Sequence, residues 1–348
     1  MKGFVIQGDG QPPKLVTMEK PEPKLNEALV KVLRAGICGT DLAMINNYKA
    51  GFKGVLGHEF VGLVERVGDP RDPEAVKWIG KRVVGEINIA CRQQTCNVCA
   101  RPVDNERYTE DHVSAMKRSH CPNRVVVGIL GHHGAFAEYL TLPLENLSVV
   151  PDAVFESHVA FVEPLAAACR IVEQKVIQPT DDVAVLGDGK LGLLIAEALR
   201  ATKAASKLVV IGKHREKLAL VRNVASECHE VSPHLHRTMR DRFDVCVEST
   251  GSPAGIAFAL DIVKPGGVLV IKSTCASKKS PVNLELMQNK GIRLVGSRCG
   301  PFDVALKLLA EKKVDVQKYI EGVYPLERAE HALEHAKTRG TLKIQLVM

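Results

Sequence analysis

Three residues near the start of the chain carry the chemistry of a metal site. Ala35-Gly36-Ile37-Cys38-Gly39-Thr40-Asp41 presents a thiol, and Leu56-Gly57-His58-Glu59 follows with an imidazole and a carboxylate. Thiolate, imidazole and carboxylate are the donor types of a catalytic zinc, which keeps one position open for water or substrate. Taken singly, Cys38 reads as a buried thiol and His58 as a satisfied core histidine. A dinucleotide site in the same chain reverses both readings.

That second site is announced by Gly187-Asp188-Gly189-Lys190-Leu191-Gly192, a GxGxxG fingerprint after the strand-like VAVLGD and at the head of the helical LGLLIAEALRA. The strand-turn-helix context gives the glycines their meaning. Gly187 permits the tight turn, Gly189 lets the backbone approach a pyrophosphate, and Gly192 lets helix pack on strand, with phosphate at the helix N-terminus. About 20 residues further on, where an acidic residue would hold the ribose hydroxyls of NAD, stands Gly212, followed by Lys213-His214-Arg215. With no carboxylate to repel it, a 2′-phosphate is expected over Gly212, held by Lys213 and Arg215. NADP is therefore the preferred cofactor and NAD the alternative. Thr250, Gly251, Ser273 and Thr274 fall at later strand ends, where such a fold faces its cofactor.

Ten cysteines are present, and Cys91, Cys96, Cys99 and Cys121 are grouped while the others are scattered among apolar neighbours. In a reducing compartment such grouping favours metal over disulfides. A cytoplasmic location is the default expectation, because MKGFVIQGDG has neither a signal-peptide nor a transit pattern and KIQLVM resembles no lipidation or retrieval tag.

The elements that must position these groups follow from pattern. Residues 1 to about 160 hold short β-type runs, ALVKVLRAG, FVGLVERVG and RVVGEINI, separated by Gly, Pro and charged turns, which reads as a β-rich, barrel-like domain. Near Glu163 apolar strands begin to alternate with amphipathic helices, as in DVAVLGD, KLGLLIAEALRA, KLVVIGK and HREKLALVRNVA. That alternation marks a doubly wound parallel sheet. The 348 residues suit two domains, with 45% hydrophobic and 25% charged residues and no apolar run approaching a membrane span. The net charge of +7 is spread without a dense basic run interleaved with aromatics, so neither a nucleic-acid nor a membrane partner is expected, and a small phosphorylated ligand suits the mild excess. Residues 100 to 118 are polar and aperiodic, and read as a surface loop.

The motifs in order are CGTD at 38 to 41, GHE at 57 to 59, the four cysteines, VEPLA at 162 to 166, LGDGKLG at 186 to 192 and GSRCGP at 296 to 301. As a set they resemble the zinc-containing medium-chain dehydrogenase/reductase family, on the side of its polyol, threonine and glucose dehydrogenases. The resemblance implies an α/β protein with a β-rich GroES-like catalytic domain at 1–164, to which 299–348 returns, and a Rossmann domain at 165–298. It implies a homodimer or homotetramer acting on a small alcohol, polyol or sugar and its carbonyl product. It also implies that Cys38 and His58 bind zinc with Glu163, Glu59 or both in exchange, that Asp41 fixes the His58 tautomer, and that Thr40 contacts the substrate oxygen. Zinc would acidify the bound alcohol, its proton would leave through Thr40, and hydride would pass to the nicotinamide.

Two departures from the family pattern stand out. Some members continue the proton relay through a histidine shortly after CGTD, but Leu42-Ala43-Met44-Ile45 occupies that stretch here, which leaves solvent and Glu59 as alternative terminal bases. In the cysteine lobe the first gap holds four residues where two are usual, and the last holds 21 where seven are usual. A structural zinc on four thiolates tolerates both changes. The alternatives are a metal-free lobe, given Gln93 or Gln94 near the usual second position, and substitution by His112 or His120. By resemblance Ile45, Tyr48, Phe52 and Arg298 line the substrate and cofactor site. The competing function is a zinc-bearing nucleotide-binding or regulatory protein without turnover.

Overall fold

The computed structural model describes residues 1–8, 11–46, 48–49, 51–100, 117–274 and 282–348. Most of the expected loop at 100–118, including His112, lies outside the described residues. The chain forms two compact units, Met1–Glu163 with Tyr319–Met348, and Pro164–Lys318. Residues 299–318 thus lie with the second unit, and the return to the first begins at Tyr319. Two contacts hold that segment there: Gly300 packs on Ala166 with no room for a Cβ, and Lys318 Nζ is 2.6 Å from the buried Glu197 carboxylate.

In the first unit the long strand Glu27–Ile37 is central, buried at most positions and flanked by Glu59–Val67 and Lys343–Val347, both antiparallel to it. Arg82–Gly85, Leu147–Val149, Tyr139–Pro143 and Ile320–Pro325 complete a seven-stranded sheet. Antiparallel pairing brings the end of one strand beside the start of the next. Here Glu27–Ile37 ends one residue before Cys38, while Glu59 opens the neighbouring strand directly opposite Gly36. Lys343 opens the strand on the other side, where Ile344 faces Ile37. The register alone therefore delivers a thiol, an imidazole, a carboxylate and an ammonium to one edge of the sheet.

The second unit carries six parallel strands in the spatial order Glu227–Glu230, Lys207–Gly212, Asp182–Leu186, Phe243–Glu248, Val263–Ile271, Arg293–Gly296. In chain order this is 3-2-1-4-5-6, the doubly wound dinucleotide topology whose binding crevice opens at the carboxyl ends of the strands. Strands covered on both faces are apolar throughout, and VAVL of the first strand is accordingly buried at every position. Ala184, Leu186, Val209, Ile211, Phe243 and Leu269 form part of one core cluster. Among the described residues no helix is long and apolar enough to cross a membrane.

The fingerprint turn separates the folding glycines from the one that folding does not require. Gly187 has φ +121°, a conformation that L side chains rarely adopt. A Cβ on Gly192 would run into the carbonyl oxygen of Gly187. At Gly189, in contrast, an added Cβ meets nothing within 4 Å, and its φ of −75° is open to any residue. Gly192→Ala is therefore expected to lower stability by at least about 2 kcal/mol, and Gly189→Ala to change it by less than about 1 kcal/mol. Thermal melts of the two variants check this, and equal losses would contradict the assignment.

Candidate metal centre and dinucleotide site

Asp41 organises the first cluster. It is fully buried, in the first turn of the short helix Gly39–Ile45. Its Oδ2 accepts the Cys38 backbone N–H at 2.8 Å, and its Oδ1 accepts the Gly57 N–H at 3.2 Å and faces His58 Nδ1 at 3.2 Å. One carboxylate thus ties the CGTD turn to the GHE turn and sets the imidazole orientation, leaving the other ring nitrogen for a metal. Burial alone would lower the His58 pKa, but Asp41 and Cys38 outweigh it and hold the imidazole well above its usual range. Thr40 Oγ1 lies 3.7 Å from Cys38 Sγ.

The donor atoms of Cys38, His58 and Glu59 all lie within 4.8 Å of one another. Soft thiolate, imidazole and carboxylate in such a cluster fit zinc. Glu59 is only 1% exposed and is paired with Lys343, equally buried, whose ammonium contacts Glu59 Oε2. Burial opposes that ammonium charge, yet Glu59 and then Cys38 keep the Lys343 pKa above its usual value. Gly36 makes room for the pair, since a Cβ there would overlap the Glu59 carboxylate. Glu163, in the first turn of the helix Val162–Glu173, stands outside the three-donor cluster. Burial pushes its carboxyl up to about 7, against the pull of His58 and with an added push from Glu59.

In the cysteine lobe the four sulfurs of Cys91, Cys96, Cys99 and Cys121 lie within 4.8 Å of one another, and all are free thiols. Their close separations are 3.5 Å for Cys91–Cys121, 3.8 Å for Cys91–Cys99 and 3.9 Å for Cys96–Cys121. A disulfide needs about 2.05 Å, whereas thiolates at ~2.3 Å from a tetrahedral zinc stand ~3.8 Å apart. The lobe has the dimensions of a zinc cage. Backbone N–H groups of Cys99 and Val98 pull Cys96 down to about 7, and burial pushes Cys99 up to about 12. Gln93 and Gln94 are exposed, and so is His120, outside the four-sulfur cluster.

At the dinucleotide fingerprint Gly189 caps the helix Lys190–Ala201, whose first turn has no acidic residue and no capping side chain. A helix N-terminus without a side-chain cap is a setting that suits an anion. Lys190 and Leu191 are half-buried and Gly192 is buried. The space that Gly212 leaves open is filled, which corrects the expectation of a phosphate seated directly over it. The Asp188 carboxylate occupies that space, accepting the N–H of Lys213 at 2.7 Å and of His214 at 2.6 Å. Lys213 and Arg215 are exposed beyond it.

The later strand ends converge on a residue that pattern reading passed over. Glu248, fully buried, accepts the Thr250 N–H at 2.7 Å, the Thr250 hydroxyl, and the Ser273 hydroxyl at 2.8 Å. Gly251 N–H donates to Ser273 Oγ at 2.8 Å, and Thr274 is exposed beside them. Arg298 is exposed, its carbonyl held by the ammonium of buried Lys272, which also donates to Ser297 Oγ at 3.2 Å. Asp188, Glu248, Lys272 and Lys343 were not singled out from sequence. Their one signal is a charge at the end or start of an apolar strand.

Residues 24–152 match the alcohol dehydrogenase GroES-like domain and residues 158–346 the glucose dehydrogenase C-terminus. A sorbitol dehydrogenase of Bacillus subtilis is 26% identical over 336 residues, covering 93% of this chain and 90% of its own length. A D-arabitol-phosphate dehydrogenase of Enterococcus avium is 25% identical over 363 residues, covering 99% and 97%. Among solved structures, a zinc-binding dehydrogenase of Sinorhizobium meliloti bound to NADP superposes with a TM-score of 0.84 at 25% identity, covering 100% of this chain and 99% of the other. With a GroES-like domain and a doubly wound domain matched in this order over nearly its whole length, the chain belongs to the zinc-containing medium-chain dehydrogenase/reductase family.

Proposed function

We propose that the protein catalyses reversible hydride transfer between a small alcohol, polyol or sugar and a nicotinamide dinucleotide, with NADP preferred. The observation that carries the reading is the convergence of Cys38, His58 and Glu59 within 4.8 Å, on a chain that also folds a GxGxxG turn at the head of an uncapped helix. The sugar-alcohol activities named for relatives in Bacillus subtilis and Enterococcus avium support the substrate class.

Cys38, His58 and Glu59 would hold the catalytic zinc, with Glu163 as an exchanging carboxylate at the same locus. When bound, the metal supplies Lewis acidity to the substrate oxygen, and the dinucleotide supplies the hydride acceptor. The chain's own groups do the rest. Asp41 holds His58 in one tautomer, so that its metal-facing nitrogen keeps its lone pair. Thr40, half-buried beside Cys38, takes the hydroxyl proton. Lys343 pairs with one oxygen of Glu59, which supports solvent over that carboxylate as the outlet for the proton. Gly189 keeps its backbone open to the pyrophosphate, and the Glu248 network aims the Thr250 and Ser273 hydroxyls. The four-cysteine lobe would hold a second, structural zinc.

We place the protein in the cytoplasm as a homo-oligomer. The nine described cysteines are all free, as a reducing compartment allows. Among the described residues the strand Arg293–Gly296 is an edge of its sheet, with Leu294 45% exposed, and an apolar edge strand favours pairing with a second copy.

Metal analysis is expected to find two zinc ions per chain, falling to one in both Cys38→Ser and Cys121→Ser. Turnover should drop at least about a thousandfold in Cys38→Ser, whereas Cys121→Ser should chiefly lower thermal stability. Full turnover by metal-stripped protein would contradict the mechanism. For the cofactor, Gly189→Ala should weaken NADPH binding at least about tenfold in a fluorescence titration, without the loss of stability expected of Gly192→Ala. Wild-type kcat/KM should favour NADP over NAD at least about tenfold, and the reverse order would exclude NADP as the preferred carrier.

A further inference from the structure

Strand Lys207–Gly212 ends at a glycine, yet a carboxylate is present there, delivered from a different segment. Asp188, the second residue of the fingerprint, is 7% exposed. Its Oδ2 accepts the backbone N–H of Lys213 at 2.7 Å and of His214 at 2.6 Å, and the His214 ring donates from Nδ1, 3.0 Å from Oδ2 and 3.2 Å from Oδ1. A carboxylate accepts at about four lone-pair positions. Three donors and near-complete burial leave little of this one for a ribose. The volume is equally committed. A Cβ on Gly212 would fall 2.5 Å from Asp188 Cβ, 2.5 Å from its Oδ2 and 2.7 Å from its Cγ, closer than packed carbon and oxygen atoms approach.

We propose that Asp188 is a specificity-determining residue for the dinucleotide, interlocked with Gly212. By filling the space above Gly212 it bars any side chain, above all an acidic one, from the position that holds the ribose diol in NAD-type sites. By turning its own oxygens onto Lys213 and His214 it withholds the carboxylate it introduces. The turn is thereby fixed with the exposed cations Lys213 and Arg215 beside the strand end, where a 2′-phosphate finds charge-assisted donors. The inference rests on reading this fingerprint as the dinucleotide site. It adds that positions 188 and 212 cannot be exchanged independently: an acid at 212 requires removal of the side chain at 188, including its Cβ.

The experiment is a double-mutant cycle on the zinc-loaded protein with Gly212→Asp, Asp188→Gly and the combination, read by fluorescence titration of NADPH and NADH and by thermal melting. Gly212→Asp alone is expected to bind both cofactors at least about tenfold more weakly than wild type and to melt lower, because two side chains and two carboxylates contend for one volume. In the combination NADH affinity should return to the wild-type level or better while NADPH stays weak, inverting the preference. Damage to the fold alone would weaken both cofactors alike and would not invert their ratio. A Gly212→Asp protein that gains NADH affinity unaided would overturn the interlock, as would a double variant no better than Gly212→Asp. Should Gly212→Asp not fold, Gly212→Ala and its rescue by Asp188→Gly ask the same question with a single methyl group. Glu230→Gln removes the exposed carboxylate beside Gly212 on the neighbouring strand and is expected to leave the NADPH/NADH ratio unchanged; a shifted ratio would assign the discrimination to Glu230 instead. Wild-type preference for NADH would refute the NADP reading alone, since rescue of Gly212→Ala in melting and NADH affinity still judges the interlock.

Discussion

The candidate metal centre depends on the burial of one carboxylate. Asp41 accepts from the backbone at Cys38 and at Gly57 and faces the His58 ring, so two turns distant in sequence are fixed to each other through a group with no contact to solvent. Hydrogen bonds to a charged acceptor contribute about 1.5–3 kcal/mol each, and a buried carboxylate that lost them would be strongly destabilising. The arrangement is therefore stable only when every donor is in place, which leaves the Cys38–His58 geometry little freedom. A metal site needs that rigidity, because a loosely held ligand set adapts to several ions and positions substrate poorly.

The Lys343–Glu59 pair extends the same logic to net charge. Two fully buried ions gain little stability over an apolar pair of the same volume, because desolvation offsets their attraction. Their presence makes better sense as charge balance. The Cys38 thiol and the Asp41 and Glu59 carboxyl groups are crowded at one locus, and Lys343 supplies a fixed cation there. As the first residue of the strand paired with Glu27–Ile37, it makes the segment that returns to the first unit a part of the site. Without it the Glu59 carboxylate would be buried with no cation against it.

Much of this was legible in the sequence, and for identifiable reasons. The parallel sheet announced itself through apolar strands alternating with amphipathic helices, and Gly187 and Gly192 through demands on backbone conformation and packing that only glycine meets. Cys38, His58 and Glu59 could be grouped by donor type and by the motifs that hold them, with Glu163 as the alternative carboxylate. Pattern reading failed where a side chain acts at a distance in the chain. Asp188 was a variable position in a motif, and nothing local says that its carboxylate reaches across to the amides of residues 213 and 214. Glu248 ends a buried strand and Lys343 begins one, and a lone charge at either place is indistinguishable in sequence from one turned to solvent. For the same reason the absence of an acid at 212 was visible, but its occupation from 188 was not.

The cysteine lobe shows how far spacing can drift while the constraint it serves is preserved. Four residues separate Cys91 from Cys96 and 21 separate Cys99 from Cys121, yet the sulfurs stand at tetrahedral-edge distances. The longer first gap is accommodated locally, with Arg92 in the left-handed region at φ 55°, a conformation costing of order 1 kcal/mol that persists only where surrounding contacts enforce it. The long last gap adds closure entropy that grows only with the logarithm of its length. What cannot drift is the support beneath the lobe. Glu86 accepts both the backbone and side-chain N–H groups of Asn88, Asn146 donates to the carbonyls of both residues, and Arg124 bonds Asn88 while holding the Cys121 carbonyl. Glu86, Asn88 and Asn146 are all buried, and Arg118, from the far end of the long gap, stands 3.4 Å from the Glu86 carboxylate, so the lobe is anchored to the sheet by a network whose members each need the others.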